Sequence, residues 1–111
     1  KNAGLDVGVL DTSAGNMYTA SGSGVTAVVH AVYISNLSST NSAKVNVKVT
    51  IDGGSTFRHV GRSLEVPANN TLVLDKPINL EPNDILRVYA DVLSDSSLPT
   101  AEVFASILEV S

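Results

Sequence analysis

The chain has 111 residues with a formal net charge of −4, 43% hydrophobic residues and no cysteine. A chain this long forms one domain with a core that needs no staples, and the missing cysteines exclude disulfides and thiolate metal sites. The basic residues Lys1, Lys44, Lys48, Arg58, Arg62, Lys76 and Arg87 are scattered, so no basic stripe is present to neutralise phosphates and nucleic acid is excluded as a partner.

No apolar run of about 18 residues is present to cross a membrane, and no signal-peptide hydrophobic segment follows Lys1. Residue 1 is Lys rather than Met, so the chain reads as processed, trimmed or part of something longer.

In chain order, residues 5–10 read as a short first strand and residues 17–20 as another, in a Gly- and Ser-rich stretch that ends at Gly24. Residues 1–24 are expected to form an N-terminal arm and residues 25–111 the main domain, one domain overall. Residues 25–35 form a long β-branched strand. Residues 45–51 alternate, with Val45, Val47, Val49 and Ile51 on one face and Asn46, Lys48 and Thr50 on the other. Asp52-Gly53-Gly54-Ser55 then supplies a tight turn into a returning strand over residues 56–60.

Residues 64–66 form a strand stopped by Pro67, and residues 71–74 and 78–80 form two more. Glu81-Pro82-Asn83-Asp84 turns the chain into a strand over residues 85–93, on which Leu86, Val88, Ala90 and Val92 share a face. Asp95-Ser96-Ser97-Leu98-Pro99 is a loop, and residues 101–110 close the domain. Period-2 alternation, punctuated by turn residues about every ten positions, predicts an all-β, two-sheet antiparallel β-sandwich of immunoglobulin-like or jelly-roll topology.

Chemistry-bearing patterns are missing. His30 and His59 are the only histidines and have no HxH or HExxH spacing. Asp52, Asp75, Asp84, Asp91 and Asp95 fall at turns or on polar strand faces, where Asp caps backbone amides, and no DxDxD calcium pattern occurs. No G-x-S-x-G elbow exposes a serine, and Gly22-Ser23-Gly24 lacks the lysine of a phosphate loop. Asn36-Leu37-Ser38 and Asn69-Asn70-Thr71 are formal sequons only. The reading is therefore a non-enzymatic protein with no cofactor and no metal.

The strand over residues 25–35 is apolar on both sides: Val25, Ala27, Val29, Ala31 and Tyr33 against Val28, Val32 and Ile34. The last strand sets Val103, Ala105 and Ile107 against Phe104, Leu108 and Val110. Each sheet of a single sandwich buries one face, so the second face needs cover from residues 1–24 or from another subunit. Val28, Val32, Ile34, Val103 and Ile107 are the candidate interface residues. Loops over residues 37–42 and 95–100 are expected to reach partners, and the protein is expected to self-associate.

Several motifs in order, Tyr33-Ile34-Ser35-Asn36, Val66-Pro67-Ala68-Asn69-Asn70-Thr71-Leu72, Leu80-Glu81-Pro82-Asn83-Asp84-Ile85-Leu86 and Ser106-Ile107-Leu108-Glu109-Val110, resemble small virion structural proteins of tailed bacteriophages. The resemblance covers residues 17–111. Its one departure is Asn83, where that group carries Gly; Asn is the next best residue at positive φ. The resemblance implies a capsid decoration (cement) protein, or a neck or tail accessory protein, that docks on capsid or tail subunits in a virion assembled in the host cytoplasm. Two further readings are a carbohydrate-binding sandwich using Tyr18 or Tyr89 as a platform, and an immunoglobulin-like appendage of a longer fibre or adhesin.

Overall fold

The structure, a computed structural model, describes residues 1–91 and 101–110. Val92, Leu93 and the 95–100 loop lie outside the described residues. The described residues form nine strands: β1 (Asn2–Asp6), β2 (Asn16–Thr19), β3 (Thr26–Asn36), β4 (Ala43–Thr50), β5 (Phe57–Val66), β6 (Thr71–Leu74), β7 (Ile78–Leu80), β8 (Ile85–Ala90) and β9 (Ala101–Val110). They build two antiparallel sheets. The first, sheet A, has the order β1-β9-β3-β6, with β7 also paired to β3; the second, sheet B, has the order β2-β8-β4-β5.

Pairing runs outward from one hairpin: β4 with β5, β3 with β6 and β7, β2 with β8, and β1 with β9. The chain is thus one long antiparallel ribbon. Rolling that ribbon on itself adds the β3–β9 and β4–β8 pairs and splits it into two packed sheets. This is the jelly-roll order, so the strand connections decide between the two topologies that the sequence leaves open.

Local chemistry sets the turns. Asn69 and Asn83 adopt positive φ, as do Gly53 and Gly54 in the β4–β5 turn. The Asp52 carboxylate accepts from the backbone N–H of Ser55 (3.2 Å) and Thr56 (2.7 Å) and fastens that turn. Pro67 ends β5 as expected, but β5 starts at Phe57. The segments read as two strands are therefore one, bulged opposite Val45, Val47 and Lys48, with Ser63 also at positive φ.

Residues 1–24 supply an edge strand to each sheet, β1 beside β9 and β2 beside β8. The first strand is Asn2–Asp6 rather than residues 5–10. Met17, Tyr18 and Ala20 are part of the core. A helical turn, Ser13–Gly15, is capped by Thr12, whose side chain accepts from the Ala14 N–H.

The largest correction concerns β3. Val29 pairs with Ile107 and Ala31 with Ser106, so His30 is an extra residue on β3 and the register shifts there. The bulge reverses which parity faces inward. Ala27 and Val29 point into the core before it, and Val32, Ile34 and Asn36 point inward after it. The opposite edge of β3 breaks at the same place, because β7 covers residues 27–29 and β6 covers residues 32–35.

Of the five candidate interface residues, four therefore lie inside the sandwich. Val32, Ile34, Val103 and Ile107 are 1%, 0%, 3% and 2% exposed and pack against the opposite sheet. Val28 lies on the outer face, half-buried. The partition of β9 matches the expected one, with Val103, Ala105 and Ile107 inside and Phe104 and Leu108 outside.

Candidate interaction surface

The outer face of sheet B is covered and internally neutralised. Asn46, Lys48 and Thr50, expected on a wet face, are all buried: Lys48 against Asp11 and the Phe57 ring, Asn46 against Asp91 and Ser63, and Thr50 against Asp84. Residues 7–15 run beside β8, where the Gly8 carbonyl accepts from the Ala90 N–H at 2.8 Å. Gly15 fits against Val88 so closely that an added Cβ would lie 2.8 Å from its carbonyl oxygen.

Asp11, carried on this segment, reaches over the sheet. The Lys48 ammonium donates to its carboxylate at 2.8 Å and the Arg87 guanidinium at 3.2 Å. Arg87 also donates to the Asn16 side chain at 2.7 Å and lies 4.2 Å from the Phe57 ring centre. Lys48 lies 4.5 Å from the same ring. The hydrogen bond from Lys48 holds the Asp11 carboxyl below its usual range.

Next to this cluster, Asp91 accepts from Asn46 (2.9 Å) and Ser63 (2.9 Å), and the Asn46 bond leads in holding its carboxyl below the usual range. Asn46 in turn accepts from the Ser63 backbone N–H. Lys48, Arg87, Asp11 and Asp91 thus each have a partner within the chain. Ile51, expected to line the core, lies beyond the end of β4 and is exposed.

Sheet A presents the opposite situation. Its register stacks the outward side chains in cross-strand rows. One row runs Gly4–Phe104–Tyr33–Val73, and the next toward the strand ends runs Asp6–Glu102–Ser35–Thr71. Farther along, Leu108 lies opposite Val28. Tyr33, Phe104, Val73 and Leu108 are 38%, 43%, 44% and 51% exposed. The Tyr33 and Phe104 rings are 5.9 Å apart and tilted by 42°. Together with Gly4, Asp6, Ser35 and Glu102 they line a shallow depression of about 430 Å3.

The row is apolar and aromatic, and Asp6 and Glu102 rim it with acid. It is also the place where two apolar strand faces leave one side without cover. The sequence alone does not point to Tyr33, Phe104, Val73 and Leu108 as the exposed row. The alternation of β9 separates its two faces but does not say which is the inner one, and the bulge at His30 conceals that Tyr33 and Phe104 share a side.

The remaining candidates take structural places. His30 is the exposed bulge residue and His59 is exposed on β5. Among the described residues no three His, Asp or Glu side chains gather as metal ligands. Asn36 is buried and its amide donates to the carbonyls of Asn41 (2.8 Å) and Val66 (3.0 Å), which shapes the loop over residues 37–42. Of the two tyrosines considered as sugar platforms, Tyr18 is buried and its hydroxyl donates to Glu109, while Tyr89 is half-buried with Lys48 5.5 Å from its ring centre.

Gly22 and Gly24 serve a turn at positive φ. No helix among the described residues is long and apolar enough to cross a membrane. Compared with known proteins, the chain matches no family model and no curated protein.

Proposed function

We propose that the protein is a non-enzymatic structural subunit of a bacteriophage virion, most simply a decoration or cement protein that docks on neighbouring coat subunits and stabilises them. The observation that carries this reading is the uncovered outer face of sheet A, with Tyr33, Phe104, Val73 and Leu108 open to solvent on a rigid paired sheet. Jelly-roll sandwiches recur among viral capsid domains, and the motif order from Tyr33 to Val110 resembles small virion proteins. The mechanism is burial of this face against a neighbouring subunit of the particle. Burial stabilises by about 25 cal/mol per Å2 of apolar surface before the cost of association is subtracted.

The test is protein mass spectrometry of particles purified by density gradient from a phage that encodes this chain. The chain is expected in the particles at a fixed stoichiometry to the coat protein, and removal of its gene is expected to lower the temperature at which the particles open. A chain that is made in the infected cell but missing from purified particles would contradict the proposal.

A second reading, carbohydrate binding, is favoured by one observation: the exposed Tyr33–Phe104 pair beside Ser35 and Glu102 offers both a stacking surface and hydroxyl partners. Glycan-array binding that is lost on Tyr33→Ala would support it, and an array without signal would remove it.

A further inference from the structure

Asp6 and Glu102 lie directly opposite each other across the β1–β9 pair, both exposed. Like charges in that register destabilise a strand pair, and neither makes an ion pair among the described residues. Beside them are the exposed rings of Tyr33 and Phe104, in the same depression. Carboxylates next to aromatic faces are complementary to a guanidinium, which pairs with the acid through its N–H fork and with the ring through its charge.

The molecule shows the completed version of this chemistry on its other sheet. There the Arg87 guanidinium lies 4.2 Å from the Phe57 ring centre and 3.2 Å from the Asp11 carboxylate. Sheet A has the ring and the acids without the cation.

Unpaired arginines are present elsewhere on the same chain. Arg58 and Arg62 are exposed on β5 and make no ion pair among the described residues. β5 is the edge strand of sheet B, ten residues long, with one side of its backbone unpaired. An edge of that length is normally covered or defended by charge. β1, which carries Asp6, is the edge of sheet A at the other end of the strand order. One copy therefore cannot bring the two patches together, but two copies can.

We propose that the acidic aromatic depression on sheet A receives Arg58 or Arg62 from the β5 edge of a second copy of this chain. The proposal rests on the subunit reading above and specifies one of its contacts. The two patches lie at opposite ends of the strand order, so a single contact leaves one patch free on each copy and the contact repeats head-to-tail into a ring or a filament. It weakens as ionic strength rises, because both patches lie at the surface.

The experiment is sedimentation velocity and native mass spectrometry of the full chain and two charge-reversed variants, Asp6→Lys/Glu102→Lys and Arg58→Glu/Arg62→Glu. All four positions are exposed, and circular dichroism verifies that each variant is folded. The wild type is expected to associate, and more strongly at low salt. Each variant alone is expected to associate at least about ten-fold more weakly, and an equimolar mixture of the two to regain association, since each then meets opposite charge at both patches.

A wild type that stays monomeric at high concentration, or a mixture no better than its components, overturns the proposal. A Tyr33→Ala/Phe104→Ala variant separates this from the subunit reading. If it fails to enter particles while both charge variants enter normally, the arginine contact is wrong and the docking face stands. If all three enter particles as the wild type does, the docking face falls as well.

Discussion

Asp84 is enclosed where the 81–84 turn meets the end of β4. It accepts from the Thr50 hydroxyl at 2.9 Å, the Gly53 N–H at 2.8 Å and the Glu81 N–H at 2.9 Å. One carboxylate thus ties the turn before β8 to the turn after β4. Asp84→Ala strands two backbone donors and a hydroxyl, so it is expected to cost about 3 kcal/mol of stability in urea denaturation. Tyr18 makes a second residue-scale prediction. Burial, reinforced by its bond to Glu109, pushes its hydroxyl up to about 12 from 10.0. The folded state keeps this proton after the unfolded chain has released it. The stabilisation is therefore complete below about pH 10 and is lost as pH rises toward 12. Tyr18→Phe has no proton to lose, so its stability between pH 10 and 12 is expected to fall less steeply than that of the wild type; equal slopes would show that the phenol does not control this range.

At the scale of elements, β3 shows how much a single inserted residue changes. With His30 as the bulge, Ile34 lies in the core and Val28 does not. Ile34→Ala is expected to cost about 3 kcal/mol and Val28→Ala less than about 1 kcal/mol, both by chemical denaturation. Similar costs at the two positions would refute the assigned faces. Strand existence was legible from alternation and turn chemistry: β6, β7 and β9 fall where Pro67, Pro77 and the closing alternation place them. The inward parity of β3 was not, because a bulge has no sequence signature when the extra residue is a histidine in a β-branched run. The burial of Lys48 was not legible either, since its cover comes from Asp11, distant in sequence and carried on a segment without alternation. For the same reason the candidate site was half legible. An apolar second face was visible in the sequence, but the residues on it were assigned to the wrong side.

At the scale of the molecule, the rolled ribbon makes the two chain ends structural neighbours. β1 pairs with β9, and the Lys1 terminal ammonium donates to the Ile107 carbonyl at 2.7 Å. Residues 1–24 also contribute Val7, Met17, Tyr18 and Ala20 to the core. A chain reduced to residues 25–111 would bare one edge of each sheet and open that core. It is expected to lack a cooperative thermal transition by circular dichroism, whereas a detachable arm would leave the transition intact. The same architecture leaves sheet A bare on its outer side and sheet B covered, and this asymmetry is the basis of the functional reading. A particle reconstruction at side-chain resolution tests that reading most directly. The chain is expected on the particle with Tyr33, Phe104 and Val73 buried against a neighbouring subunit; finding it bound with these three side chains facing solvent would contradict the account.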